Sequence, residues 1–559
     1  MKTFYQFLVT FIILMGFTLN ANNVQVSNVT LINQNVAAGV NNPANHTFVR
    51  FSISWDNSWR TSTGPGNYDA AWVFVKFQPF GGNYNHATLS TIATQHNVTT
   101  NNGVPVEFKT VPDGVGVFIQ RSGNGGPASN NWQDVLLRWN YPANGVLDNQ
   151  SVTVQVFAVE MVFVPQASFY LGDGNINQAP SSLAFRINNV PSTTPRGNEA
   201  YLVTSESALT FVNNTNTSTT GIYDPNVPNG YTLAASYPKG FRAFYTMKYE
   251  TSQRQYADFF NTLPTAPISD PQKGARNVLS GSFRNCFNWS GNNLDDAQLN
   301  RFGIAAPALG SGDRAQNFMG WSDAIAFADW SGLRPMSEFE YEKICRGNDI
   351  TFGPIYPILG EFAWGNTIIN FILANGIIPS IDNSISEGVT TPSTNQANCN
   401  AGNVNLNSLA IAGNREGPVR CGIFAAKNFT TQQRRQAGAS FYGVMELTGN
   451  IVEMAVAPGS RQGSCFGSVT FSSIFDHNIN GNGVIPGGNS DVVSWNTLAN
   501  VGAAGVLVTA KGGSFLGAAS ASFRQGWTPS SSCSGNINPG IYSRNSDNGF
   551  RAVRSTFNP

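Results

Sequence analysis

Charge is the scarcest feature of this 559-residue chain. Lys, Arg, Asp and Glu make up only 11% of it, and 32 basic residues balance 32 acidic ones for a net charge of +0. Soluble domains average about 25% charged residues. A nucleic-acid-binding protein needs a basic excess or a basic stripe, so nucleic acid is excluded as a partner. Charge-driven disorder is excluded as well, because 41% of the residues are hydrophobic.

Histidine is nearly as rare. The four histidines are His46, His86, His96 and His477, and only the last lies in the C-terminal two thirds of the chain. No HExxH, CxxC or GxSxG motif occurs. An iron site built from three histidines, or from two histidines and a carboxylate, cannot be assembled there, so we expect no iron. We expect His477 to lie in a solvent-exposed loop.

Long apolar runs are missing beyond the N-terminus. The one candidate runs from Phe7 to Phe17, after Lys2 and before Ala21, which predicts a cleaved signal peptide over residues 1–21. The run is too short to span about 30 Å of hydrocarbon. We therefore expect an exported protein of the periplasm or cell surface, with no transmembrane segment after cleavage.

Cysteines are sparse, and they are Cys286, Cys345, Cys399, Cys421, Cys465 and Cys533. Export permits disulfides, and six cysteines allow fifteen connectivities. Cys399 and Cys421 flank a Gly/Asn-rich loop, so we favour a disulfide between these two.

Two regions of the chain differ in pattern. Residues 22–157 contain short runs of Val, Phe, Trp and Thr between Asn/Gly/Pro clusters, which predicts a β-sandwich domain. Residues 158–559 form the second predicted domain, an α+β domain with a few amphipathic helices and long Gly/Asn/Pro-rich loops. Ser252 and Ser337 each begin a capping-box pattern, which predicts a helix start at both positions.

Six groups of motifs follow one another in the second region: Met161–Pro165 with Phe169–Gly172, Phe244–Glu250, Trp321–Trp330 with Arg334–Gly347, Ala363–Asn366, Tyr442–Glu453, and Lys511–Phe515 with Gly549–Arg554. In sequence and in order they resemble the motifs of the formylglycine-generating enzyme (sulfatase-modifying factor) family. The resemblance implies a loop-rich fold related to C-type lectins, with bound calcium. It does not cover residues 22–157.

The catalytic ligands of that family are missing. Its enzymes carry a copper-binding cysteine pair just after the Gly-Gly-Ser motif, because two thiolates hold soft Cu(I). Those positions fall at about Gly517 and Ser522 in this chain. We therefore expect no copper and no formylglycine formation by the family mechanism.

The carboxylates Glu338, Glu340 and Glu342 share one short predicted helix, where Glu340 completes the capping box of Ser337. We expect structural roles for all three. Arg524 and Arg551 are likewise expected to be framework residues that bond loop carbonyls.

The resemblance implies one calcium site, at Glu446, Gly449, Ile451 and Glu453, with carboxylate oxygens at both ends and backbone carbonyls between. Hard oxygen ligands suit Ca²⁺. A buried turn that Glu453 caps is the alternative. A second family calcium site would lie near Asn398–Gly402, where the spacing is too altered to assign residues.

These features favour an exported, non-catalytic binding or scaffold protein, a pseudoenzyme of the bacterial cell envelope. The resemblance extends to gliding-motility and type IX secretion proteins, which implies an outer-membrane or surface protein as partner. Two alternatives remain open at this point: an enzyme with an unrecognised active site on the same scaffold, and a glycan-binding module.

Overall fold

The structure of the protein is a computed structural model. It describes residues 24–100, 102–173, 185–188, 199–212, 221–224, 227, 229–263, 283–285, 287–289, 302–304, 311–371, 397–401, 417–425, 433–460, 470–471, 475–495, 508–522 and 544–556. The predicted signal peptide lies outside these residues.

The described part of the N-terminal region forms nine strands, which are β1 (Gln25–Asn35), β2 (His46–Arg60), β3 (Asp69–Pro79), β4 (Asn85–His86), β5 (Asn97–Thr100), β6 (Val106–Thr110), β7 (Val117–Arg121), β8 (Gly125–Trp139) and β9 (Val152–Val164). Four of them form a sheet in the order β1-β2-β8-β5. β2 alternates in burial along most of its length, as a strand with one buried face does.

The following strands are short, and they are β10 (Phe169–Leu171), β11 (Arg186–Asn188), β12 (Tyr201–Val203), β13 (Leu209–Thr210), β14 (Gly221–Tyr223), β15 (Thr232–Leu233), β16 (Phe244–Met247), β17 (Phe287–Trp289), β18 (Phe302–Ile304), β19 (Arg334–Pro335), β20 (Asn348–Asp349), β21 (Gly353–Pro354), β22 (Ile369–Phe371), β23 (Ala397–Cys399), β24 (Val452–Val456), β25 (Gly459–Ser460), β26 (Thr470–Phe471), β27 (Val508–Lys511), β28 (Gly513–Ser514), β29 (Gly517–Ala518), β30 (Asn548–Gly549) and β31 (Ala552–Ser555). Most of them form two-stranded sheets.

Four α-helices lie in the described residues, namely α1 (Gln253–Asn261), α2 (Trp321–Trp330), α3 (Glu338–Arg346) and α4 (Gln433–Gln436). Ser252 caps α1 and Ser337 caps α3, each with the reciprocal bond of a capping box, so both predicted starts are confirmed. The described residues contain more strand than helix, and the N-terminal region is β-rich, as the sequence predicted.

The largest sheet joins the two regions of the chain. Its strands run in the order β19-β31-β16-β9-β3-β7-β6, with β4 paired to β3. The predicted boundary between residues 157 and 158 lies inside β9, which pairs with β3 on one side and with β16 on the other. The N-terminal strands and the C-terminal strands therefore share one continuous backbone ladder.

The two faces of β3 belong to two different cores. Ala71, Val73 and Val75 pack with the four-stranded sheet, whereas Trp72 and Phe74 pack with the helical region. Both sets are fully buried. Alternation along one strand thus gives each core its own set of side chains.

Arg554 connects the C-terminal region to the N-terminal region. It ends the last family-like motif, is fully buried, and pairs with Asp113 of the N-terminal region at 2.5 Å. Its guanidinium also lies 4.3 Å from the ring of Trp72, and the Trp72 indole N–H donates to the Ser331 carbonyl at 2.7 Å. The contact is both polar and aromatic.

Within the described residues, the helices are all too short or too polar to cross a membrane.

Candidate functional site

The turn from Glu446 to Glu453 has a constrained backbone. Glu446, Gly449 and Asn450 all have left-handed conformations, with φ of 55°, 81° and 65°. A Cβ at Gly449 would lie 2.6 Å from both the Asn400 carbonyl oxygen and the Cys399 sulfur. Only glycine therefore fits there, as a close backbone approach requires.

Glu446 is a buried carboxyl group with one unused oxygen. Its Oε1 accepts a hydrogen bond from the Gly422 N–H at 3.0 Å, and its Oε2 has no hydrogen-bond partner. Burial raises the pKa of Glu446 to about 8, and nearby Glu453 adds to the rise. The side chain is therefore protonated at neutral pH unless a cation joins it.

Glu453, at the other end of the turn, already has a cation. Arg551 donates to both of its carboxylate oxygens at 2.6 to 3.0 Å, and both side chains are fully buried. Arg551 also donates to the carbonyl oxygens of Met247, Lys248 and Met445. The expectation that Arg551 bonds loop carbonyls is confirmed; Arg524 lies outside the described residues.

Glu250 is a third buried carboxyl group that contacts the same turn, although the sequence did not single it out. Its carboxylate accepts from the Asn450 side-chain amide and from the Ile451 N–H, the latter at 3.2 Å. Burial, together with Glu453, raises the pKa of Glu250 well above its ordinary value, and Arg551 opposes the rise. The feature of the sequence that could have identified Glu250 is its position at the end of the Phe244–Glu250 motif.

The predicted calcium set stays a prediction, and its members differ in their surroundings. Glu446 offers a buried oxygen without a partner, which suits a cation. Glu453 is paired with Arg551. The Ile451 N–H donates to Glu250, which leaves open the role predicted for the Ile451 carbonyl. No cluster of three or more His, Cys, Asp or Glu side chains arranged to hold a metal occurs in the part of the chain that the structure describes.

The two positions of the family cysteines differ sharply in their surroundings. Gly517 is exposed in the β28–β29 hairpin, whereas Ser522 is fully buried. The Ser522 hydroxyl accepts a hydrogen bond from Arg346. Arg346 in turn pairs with Glu342 at 2.5 Å and with Glu361 at 2.9 Å. Ser522 is thus bound into a charge network and hidden from solvent.

The three glutamates of α3 are buried in ion pairs. Arg334 pairs with Glu340 at 2.6 Å, and Lys511 lies 3.5 Å from Glu338 and 3.4 Å from Glu342. These contacts are those of structural residues, as we expected from the sequence.

The expectation for His477 was wrong. It is buried, its Nδ1–H donates to the Ser236 carbonyl at 2.7 Å, and Arg242 donates to its Nε2. Burial lowers the pKa of His477. These hydrogen bonds hold the loop in place. The sequence does not show them, because the partners lie far apart in the chain and meet only in the fold.

The structure holds Cys399 and Cys421 as free, buried thiols, so the favoured disulfide is not formed in it. Each thiol has its own backbone acceptor, the Thr448 carbonyl at 3.0 Å and the Glu250 carbonyl at 3.4 Å. Burial raises the pKa of both thiols, so neither is poised to react. Cys286, Cys465 and Cys533 lie outside the described residues.

The comparisons with known proteins agree with the order of motifs. Residues 217–556 match the family described as the sulfatase-modifying factor enzyme 1-like domain, also named FGE-sulfatase. No curated protein matches the chain.

Proposed function

The chain belongs to the sulfatase-modifying factor enzyme 1-like family, and we propose that it is a non-catalytic member, an exported binding or scaffold protein of the bacterial cell envelope. Its place would be the periplasm or the cell surface, within a secretion- or gliding-related protein complex. The low charge of the chain suits contact through uncharged surfaces.

The state of Ser522 carries the proposal. A family enzyme needs a thiolate pair that reaches both metal and substrate. This chain has Gly517 and Ser522 at those positions, and the Ser522 hydroxyl is buried against Arg346. The Arg346 guanidinium is itself held by Glu342 and Glu361. An ion network that fills the surroundings of Ser522 supports a framework role for this position.

Calcium remains part of the proposal at the turn from Glu446 to Glu453, where Glu446 is the ligand with a free oxygen. A divalent cation there would replace the proton of the buried carboxyl group and would bind its unpartnered Oε2. It would supply a fixed positive charge that holds the turn, and no reaction step. A fold related to C-type lectins is also proposed, because short sheets, short helices and long connections support it.

Two measurements on the purified protein test the absence of catalysis. Elemental analysis should find no stoichiometric copper or iron, and a cysteine-containing sulfatase peptide should show no formylglycine by mass spectrometry. A stoichiometric transition metal, or conversion of the peptide, would overturn the proposal in favour of an enzyme.

The binding role is tested by capture from envelope membranes. The tagged protein should retain one stoichiometric protein partner, and an unrelated exported protein with the same tag should not. Recovery of the bait without a partner from solubilised envelopes, after crosslinking, would contradict a scaffold role. Binding to glycans with no protein partner would favour the glycan-binding alternative.

A further inference from the structure

A run of exposed apolar side chains lies on the segment from Asn348 to Ile368. Its seven large members have exposed fractions from 38% for Ile355 to 87% for Phe352, and they are Ile350, Phe352, Ile355, Tyr356, Ile358, Leu359 and Ile368. We call this set the apolar ridge. Large exposed apolar patches are uncommon on soluble monomers and mark interaction sites.

The backbone of the ridge is firmly held. The Asp349 carboxylate accepts from the N–H groups of Thr351 and Phe352 at 2.8 and 3.3 Å. Glu361 accepts from the Ile358 N–H at 3.1 Å. The N–H of Ile350 donates to the Gly64 carbonyl at 2.9 Å. Its side chains are thus presented on a fixed backbone, which lowers the entropy cost of binding.

The ridge has no charge of its own. The charged residues between Asn348 and Phe371 are Asp349, whose carboxylate accepts from two N–H groups of the hairpin, and Glu361, which is buried. An uncharged apolar surface meets its own copy without like-charge repulsion. It lacks the basic residues that usually accompany apolar groups at a membrane surface, and it lacks a charge pattern that would select a different protein.

The area of the ridge suits a protein interface. Five of the seven side chains are aliphatic, so we take the lower part of the aromatic range, roughly 150 to 200 Å² each, and the exposed fractions then amount to on the order of 600 to 750 Å². A stable protein interface buries about 800 Å² on each partner. In a twofold dimer the same patch contributes from both protomers, so one ridge per chain is sufficient.

We propose that the apolar ridge is the contact surface of a homodimer, in which the ridge of one chain packs against the ridge of a second copy. This goes beyond the proposed envelope function and does not depend on it, because a dimer is compatible with either a scaffold or an enzyme.

Sedimentation of the purified protein from about 1 to 100 µM tests the proposal. The unmodified chain should form a reversible dimer. The variant Phe352→Ser/Ile358→Ser should raise the dimer dissociation constant at least about a hundredfold, because four large side chains leave the interface. The matched control is Phe80→Ser, since Phe80 is as exposed but lies outside the ridge, and it should dimerise normally.

A second variant separates loss of the dimer from loss of folding. Thr351→Lys keeps every apolar side chain and adds a charge to the exposed hairpin tip, so it should weaken the dimer and leave the melting temperature unchanged. A monomer at 100 µM, or a dimer that survives both variants, overturns the proposal. Flotation of the unmodified chain with phosphatidylethanolamine–phosphatidylglycerol vesicles, lost in the Ser variant, would assign the ridge to lipid instead.

Discussion

Arg551 and Glu453 form a buried pair in which one guanidinium contacts both carboxylate oxygens, at 2.6 to 3.0 Å, across 98 positions of sequence. The same guanidinium bonds three carbonyl oxygens, so it ties together β24, the 446–453 turn and the residues before α1. An arginine thus supplies the positive charge at one end of the turn where the family resemblance implied calcium.

Replacement of Arg551 should strongly destabilise the protein. In Arg551→Met the Glu453 carboxylate loses its only ion-pair partner within the described residues, and the expected loss in the free energy of unfolding is about 3–5 kcal/mol. Urea denaturation measures it. The exposed pair Arg50–Asp134 is the control, and Arg50→Met should cost less than about 1 kcal/mol. Equal effects would contradict the assignment.

Glu446 should make stability depend on pH. Its pKa rises from 4.5 in the unfolded chain to about 8 in the folded one, so the folded state retains a proton that the unfolded state loses. Its contribution to stability is present below pH 4.5 and falls by about 1.4 kcal/mol per pH unit up to about 8. Thermal melts of Glu446→Gln should show a smaller decline over that range than the unmodified chain.

Calcium should act on the same residue. Above pH 8 the ionised Glu446 binds a cation best, so added calcium should raise the melting temperature of the unmodified chain there and should release protons at lower pH. Glu446→Gln should abolish the shift, whereas Glu107→Gln, a change on a partly exposed pair, should retain it. A calcium shift that persists in Glu446→Gln would place the ion elsewhere.

The two positions of the family cysteines should differ as thiols. Gly517→Cys places a side chain in open space, so a maleimide should label one more thiol per chain than in the unmodified protein. Ser522→Cys is buried against Arg346 and should add no label until urea is present. Rapid labelling of Ser522→Cys in the native state would show that the site is open.

The N-terminal region should be required for folding. A chain that begins at residue 158 lacks β3, the neighbour of β9, and exposes Trp330 and other core residues that pack against Phe74. We expect it to be insoluble, or to lack a cooperative melting transition. In the full chain, Asp113→Ala should lower the single melting temperature, because it leaves buried Arg554 without its carboxylate. Two separate transitions would indicate independent domains.

Local features of the fold could be predicted from sequence because their partners are close along the chain. Ser252 bonds Gln255 and Ser337 bonds Glu340, three residues away in both cases. The order of the motifs can also be read directly along the chain, and it identified the family.

Long-range partners were not visible in the sequence. Asp113 and Arg554 are 441 residues apart, and nothing near Asp113 indicates a buried arginine. The anchoring of His477 by Ser236 and Arg242 was missed for the same reason. Glu453 was selected by its motif, but its ion pair with Arg551 forms only in the tertiary fold.

The double use of β3 has a consequence for how this sequence can vary. A substitution at Val73 changes the packing of the N-terminal core, and one at its neighbour Trp72 changes the packing of the helical core. The two halves can therefore accumulate changes separately, position by position, while the strand they share prevents either half from being lost or exchanged alone. We expect natural variants to change odd-numbered and even-numbered residues of β3 in two independent groups.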